Sequence, residues 1–324
     1  MSALSLNVIR RRISGPTAGA WIALAVLLAV CCLGNEYFRD PQNLLNITRQ
    51  VSYSGIIALG MTFVIAAGGI DLSVGSLLAF SGVLSLQVMN ATAGTPEVQL
   101  AAAFLTALAV GAAGGAVNGA LVGAARVQPF IVTLGTWSIY RSLALYFADA
   151  GLVGTSNPLY PEMTGREFLH VSLPAWILLA LTILLAAVLR STPFGRHVCA
   201  VGSNERVARY AAIRTGWIKF HTYLLAGALA GVSAFLLGGR LSSVSSTSAG
   251  LSYELDAIAA VIIGGSAMTG GRASVGGTLA GVLILGIVSN ALDMWGVSVN
   301  LQGTVKGLVI IIAVLIQYKR KGNE

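Results

Sequence analysis

The sequence predicts an all-α, polytopic membrane protein of about ten transmembrane helices, and three observations carry that prediction. Hydrophobic residues make up 56% of the 324 positions and charged residues only 10%, against about 25% charge in an ordinary soluble domain. The chain has too little polar surface to face water all round. Apolar runs recur from Thr17 onward with short polar connections, and the length accommodates about ten spans of ~20 residues each, with no large soluble domain besides. The lysines and arginines gather in alternate connections, as the positive-inside rule expects.

Hydropathy places the helices at 17–34, 51–69, 72–90, 98–124, 128–148, 171–189, 220–238, 255–270, 274–293 and 301–318. The first follows Arg10, Arg11 and Arg12 and has no small-x-small site behind it, so it reads as an uncleaved span rather than a signal peptide. The second and third are separated only by Ile70 and Asp71, either a tight turn at one face or a break deeper in the membrane. The fourth carries Gly111, Gly114, Gly115 and Gly119, a spacing of small residues that lets helix backbones approach closely. The fifth holds Arg141 amid Trp137, Tyr140 and Tyr146. The sixth and seventh flank 190–219, the longest inside stretch and the most charged part of the chain. The eighth is short for a full span and suits a partly re-entrant segment. The ninth follows a glycine-rich run, and the tenth carries Lys306 near its start, a position from which lysine snorkels to the interface.

With the N-terminus inside, the inside segments hold Arg10, Arg11, Arg12, Arg126, Arg190, Arg196, Arg206, Arg209, Arg214, Lys219, Arg272, Lys319, Arg320 and Lys321. The outside segments hold only Arg39, Arg49, Arg166 and Arg240. That bias places both termini in the cytoplasm. The chain reads as one transmembrane domain over 1–324, with a cytoplasmic N-terminus at 1–16, a cytoplasmic loop at 190–219, a cytoplasmic tail at 319–324 and an external cap at 149–170. The net charge of +8 belongs to these loops, so no nucleic-acid partner is expected; membrane lipid is.

The strongest local signal is Gly60–Ser76, where an apolar run reaches Gly68 and Gly69, then Asp71, then Ser73, Gly75 and Ser76. A lone acid at membrane depth is expensive and marks a functional-site candidate, and broken helices that line a path recur in transporters. The same residues have a structural reading, a carboxylate or Ser73 capping the helix that follows. The two readings are compatible. Gly270–Thr278 echoes this run before the ninth helix, either as an internal repeat or as a chance likeness between glycine-rich hairpins.

Other chemistry is lacking. No glycine-lysine dipeptide occurs, so there is no phosphate loop, and neither a His-Glu-x-x-His nor a Gly-x-Ser-x-Gly pattern is present. Cys31, Cys32 and Cys199 are too few and too ill-spaced for a disulfide framework or a zinc site. The chain is read as a non-enzyme without an ATPase site, a metal or a cofactor.

The run Gly68–Ser76 resembles the Gly-Gly-Ile-Asp-Leu-Ser-Val-Gly-Ser signature of ribose-type carbohydrate ABC importer permeases. The resemblance continues through 127–135, 195–205, 253–265 and 276–281. It departs at Ser203, where the family has the second glycine of Gly-Gly-Asn. It implies a fold like that of vitamin B12-type permeases, in a bacterial inner membrane, moving a small sugar by alternating access. It also implies a second permease subunit (a homodimer or a paralogous heterodimer), a separate cytoplasmic ATPase and a periplasmic sugar-binding protein. A coupling helix that docks on the ATPase would fall on Gly202, Asn204, Glu205, Arg206, Ala208 and Arg209. Val207, Ala208, Ala211, Ala212 and Ile213 add an apolar stripe beside those charges, with Ala208 in the expected docking face; the bland reading is a solvated loop.

Gly68, Gly69, Asp71, Ser73, Ser76, Trp137 and Arg141 are candidates for the transport path or the helix break. Arg141 is deep enough to face protein or water, and a ring such as Trp137 offers either a sugar-stacking face or ordinary packing. Glu254 and Asp256 flank Leu255 at an expected outer boundary, as helix-capping acids or as the periplasmic mouth. The rival reading is a stand-alone secondary transporter or channel that uses Asp71 as its coupling acid; it lacks a second polar partner in the sequence.

Overall fold

The computed structural model describes residues 16–298, 301–309 and 311. Its long helices are α1 (Pro16–Gly34), α2 (Pro41–Ala66), α3 (Val74–Ala91), α4 (Pro96–Gly123) and α5 (Pro129–Phe147). The connection after α5 holds β1 (Leu152–Gly154), the short α6 (Leu159–Gly165), β2 (Glu167–Phe168) and β3 (Val171–Ser172). Then come α7 (Leu173–Ser191), α8 (Pro193–Ser203), α9 (Glu205–Tyr210), α10 (Thr215–Leu241), β4 (Ser243–Ser245), α11 (Tyr253–Ile263) and α12 (Val275–Met294). Residues 301–309 are helical; the remainder of the predicted 301–318 span, apart from residue 311, lies outside the described residues, as do the basic segments at 10–12 and 319–321.

Prolines open many of these helices. Pro41, Pro96, Pro129, Pro174 and Pro193 sit in the first turn of α2, α4, α5, α7 and α8, where a missing N–H costs nothing. Helix α2 begins ten residues before the hydropathy signal. Asp40 accepts from Gln42 N at 2.9 Å and caps it, but its first turns are polar. Among the described residues seven helices are long and apolar enough to cross a membrane: α1, α2, α3, α4, α7, α10 and α12. Helix α5 has 19 residues, but Arg141 and its hydroxyl side chains lower its hydropathy. Helix α11 has only 11 residues, about 16 Å at 1.5 Å per residue, so the predicted 255–270 helix is half a span followed by a turn.

Helix α2 runs through the centre. Of its most apolar window 83% is buried, against 17% in α1, which lies on the outside. Helices α4 and α10 touch backbone to backbone: a Cβ at Gly111, Gly115 or Gly119 would strike the carbonyl of Gly227, Tyr223 or Phe220. Gly114 instead makes room for Leu77 of α3.

The ends of the bundle differ in charge. At one end the 67–73 turn, the α4–α5 turn, α8, α9 and the 264–274 turn come together, with Arg126, Arg190, Arg196, Arg206, Arg209, Arg214, Lys219 and Arg272. The other end holds β1 paired antiparallel with β4, the β2–β3 hairpin and α6, with Arg39, Arg49, Arg166 and Arg240. There Glu167 pairs with Arg49, and the Tyr160 hydroxyl donates to Phe235 O at 2.6 Å.

Candidate functional site

The break between α2 and α3 spans residues 67–73. Asp71 is fully buried, and its Oδ1 accepts from Ser73 N at 2.9 Å and Ser73 Oγ at 2.7 Å. Asn118 of α4 donates to Asp71 Oδ2 at 3.4 Å and to Ser73 Oγ at 2.8 Å. Ser73, not Asp71, is the N-cap residue of α3; the acid acts two residues earlier, as an Asx turn that mimics a backbone turn. The Tyr223 hydroxyl donates to Ile70 O at 3.1 Å and fills the space beside Gly69, while Ser76 Oγ donates to Ser73 O at 2.8 Å. Thus Gly69, Asp71, Ser73 and Ser76 form one closed polar knot. Asn118 and Tyr223 were missed by sequence reasoning; a lone Asn in an Ala/Gly-rich span was the available signal for the first.

A second polar group lies deeper. After β4 the chain turns into the bundle as a non-helical segment, 246–252, and α11 starts only there. Arg141, two-thirds of the way along α5, donates to Ser246 O at 2.8 Å and Ala249 O at 2.9 Å. Irregular backbone at membrane depth needs such internal partners. Gly250 and Glu254 press on Gly75 at the start of α3, where a Cβ would collide with both. Glu254 therefore packs against the start of α3, while Asp256 is half-buried. Arg141 Nε and Glu254 Oε2 are buried without a hydrogen-bond partner. On the other side of α11, Asp256 pairs with Lys306 at 3.2 Å. A cavity of about 120 Å³ beside this pair is lined by Gln50, Ser54, Tyr253 and Ser289 among others. Trp137 stays on the exposed side of α5 and is not brought to this group, whereas Tyr140 turns inward and donates to Gly114 O at 2.9 Å.

At the basic end α8 and α9 meet at Asn204, whose Oδ1 accepts from Arg206 N and Val207 N, both at 3.1 Å, and caps α9. Gly202 is wedged between the two glycine turns: a Cβ there would run into Ala66 O and come within 2.6 Å of Gly271 N. Glu205 accepts from Arg209 at 2.6 Å, Lys219 at 2.7 Å and Thr215 at 3.2 Å. Partial burial pushes its carboxyl up, but the Lys219 and Arg209 hydrogen bonds, the Lys219 charge and the Thr215 hydroxyl outweigh that and hold it down at about 2. Ala208 is 3% exposed and faces the bundle, which overturns its expected place in a docking face. Of the apolar stripe only Ala208 is buried and Ile213 half-buried, while Val207, Ala211 and Ala212 are exposed, and the outward side of α9 presents Arg206, Val207 and Tyr210, the last 90% exposed.

The family described as branched-chain amino acid transport system / permease component matches residues 43–314. This chain belongs to that permease family. The ribose import permease protein RbsC of Bacillus subtilis (strain 168) is 41% identical over 304 residues, covering 93% of this chain and 92% of that one. RbsC of Escherichia coli (strain K12) is 40% identical, covering 93% of each. The L-arabinose transport system permease protein AraH of the same strain is 31% identical over 315 residues, 94% of this chain and 92% of its own. No solved structure matches. In this permease the closed knot at Asp71 offers a rigid turn, whereas the half-helix α11, with ionisable groups on both sides of its start, offers polar groups inside the bundle.

Proposed function

We propose that this permease is the membrane-spanning subunit of an ATP-driven importer of ribose-like monosaccharides. The observation that carries the reading is identity of 41% and 40%, across 93% of the chain, with two ribose import permeases. The basic end faces the cytoplasm and takes both termini with it. The seven apolar helices, α5, the helix that starts at 301 and the broken crossing made of 246–252 with α11 give ten crossings, in an arrangement like that of vitamin B12-type permeases. Two such subunits enclose the path, and a periplasmic binding protein delivers the sugar. The path passes the start of α11, where Arg141, Glu254 and Asp256 offer hydroxyl-binding groups. Gly202 and Asn204 set the angle of α9, and a separate ATPase grips its outer face at Arg206, Val207 and Tyr210. Asp71 does not suit a coupling acid, because its carboxylate is occupied by Ser73 and Asn118.

The test is reconstitution of the permease with its ATPase and binding protein in proteoliposomes. Uptake of labelled ribose should need ATP and be competed by other pentoses but not by leucine. Tyr210→Glu should cut both ATPase retention and uptake about tenfold or more, as for an aromatic anchor at an interface. Uptake without ATP would point to a stand-alone transporter, and competition by leucine to an amino-acid substrate.

A further inference from the structure

A groove of about 440 Å³ opens where the end of α4 meets the start of α10, lined by Arg126, Arg209, Arg214, Glu205 and Trp217 among others. Arg126 and Arg214 are exposed, and their guanidinium groups make no hydrogen bond or ion pair among the described residues. Glu205, the acid in the groove, is already engaged by Arg209, Thr215 and Lys219. The first turn of α10 has no side-chain cap, so its free N–H groups add positive potential at the same place. Two unpaired arginines, Arg209 beside them with Nε and Nη2 given to Thr215 and Glu205, and an uncapped helix start therefore face one anion-sized space.

The surroundings identify the source of the anion. Trp217 in the first turn of α10, 62% exposed, and the half-buried Ile213 just before it form the apolar rim of the groove itself. Both α4 and α10 are apolar enough to cross a membrane, so the groove lies at the end of two spans, where tryptophan marks the interface. A free phosphate would leave this apolar rim in water; a lipid covers it with its tails. Basic pockets between helices on the cytoplasmic side recognise lipid headgroups in the same way. We propose that the groove holds the phosphodiester headgroup of an anionic phospholipid, bound by Arg126, Arg209 and Arg214, with its acyl chains over the rim.

The experiment titrates the purified permease in detergent with dioleoyl-phosphatidylglycerol or dioleoyl-phosphatidylcholine and reads lipid adducts by native mass spectrometry. The wild type should retain phosphatidylglycerol in preference. The preference should fall about fivefold for each arginine removed, hence roughly 25-fold in Arg126→Gln/Arg214→Gln. Arg126→Lys/Arg214→Lys should keep most of it, and the single Arg214→Gln serves if the double variant fails to fold. Millimolar inorganic phosphate should leave the adduct in place. Equal retention of the two lipids by the wild type, or an unchanged preference in the glutamine variants, overturns the proposal. Displacement of the lipid by inorganic phosphate overturns it in favour of a free-anion site. Unchanged lipid preference with loss of ATPase retention overturns it in favour of a protein-docking surface.

Discussion

The turn between α2 and α3 and the turn between α11 and α12 end their first helices in the same way and start their second helices differently. At the first, Ala67, Gly68 and Gly69 N donate to Phe63, Ile65 and Val64 O at 3.0, 2.9 and 2.9 Å. At the second, Gly264, Gly265 and Ser266 N donate to Ala260, Ile262 and Val261 O at 2.9, 2.8 and 3.2 Å. Gly68 (φ +81°) and Gly265 (φ +88°) take the matching left-handed positions. Both turns then reach Ser-Val-Gly. Ser274 Oγ accepts from Gly277 N at 3.1 Å and caps α12, but Ser73 Oγ caps nothing. It donates to Asp71 and accepts from Asn118. The residue two positions earlier, Asp71 or Arg272, decides which role the serine plays. A buried carboxylate recruits every nearby donor, so one turn becomes a sealed polar knot while the other is an ordinary capped start.

The largest effect is expected at the knot. Asp71→Ala removes the acceptor of Ser73 N and Oγ and of Asn118, on the order of 3 kcal/mol for buried donors left unmet. Uptake should collapse and the melting temperature fall, with the chain still in the membrane. Asp71→Asn should be tolerated far better, because its amide oxygen can serve Ser73 and the unpartnered Asn118 Oδ1 can turn to accept. Loss of transport in Asp71→Asn at normal expression would mean that the charge itself is needed and that the two turns differ in function as well as in construction.

Gly202→Ala sharpens the comparison by pushing on both turns at once. The Gly271 amide donates to Ala66 O at 2.9 Å directly beside Gly202, and overpacking such a contact costs about 1–3 kcal/mol. Thermal stability and ATPase-dependent uptake should fall together; a neutral result would show that the turns move apart easily. Ser274→Ala should cost only about 1 kcal/mol, the loss of one cap, read as a small drop in melting temperature with uptake retained. An effect as large as that of Asp71→Ala would erase the distinction.

The smallest effect is a pH dependence next to the turns. The Glu205 carboxyl is held at about 2, below its ordinary 4.5, so its contribution is complete above about pH 4.5 and is lost as pH falls through about 2. The melting-temperature gap between wild type and Glu205→Gln should hold steady from neutral pH to about 5 and shrink below it. A gap that grows on acidification would reverse the sign and exclude the ion-pair account.

Helices of uniform apolarity, such as α1, α3, α4 and α12, were legible to within a few residues. The start of α2 was not, because Gln42, Asn43, Thr48, Arg49 and Gln50 look like a loop to a hydropathy window although they sit on a capped helix. The echo between Gly68–Ser76 and Gly270–Thr278 was legible at the serines and misleading at the glycines, since Gly68 corresponds to Gly265. At the site, Asp71 was legible as a lone acid. Its partner Asn118 lies 47 positions away in the chain, and Tyr223, which holds the neighbouring Ile70 carbonyl, lies 153 positions from Ile70; no local pattern ties either to the turn.

The sequence by itself determined a polytopic helical protein, its charge asymmetry and the place of the α2–α3 break, because hydropathy, charge and glycine-acid spacing act locally along the chain. Only the tertiary structure decided the contact of Glu254 with Gly75, the partner of Lys306 and the side of α9 that Ala208 faces. An acid beside an apolar run looks the same at an interface and in a buried crossing, and an amphipathic helix does not record which of its faces meets its own protein. Those choices depend on which backbones pack closely enough, through Gly75, Gly202 and Gly250, to bring distant segments together.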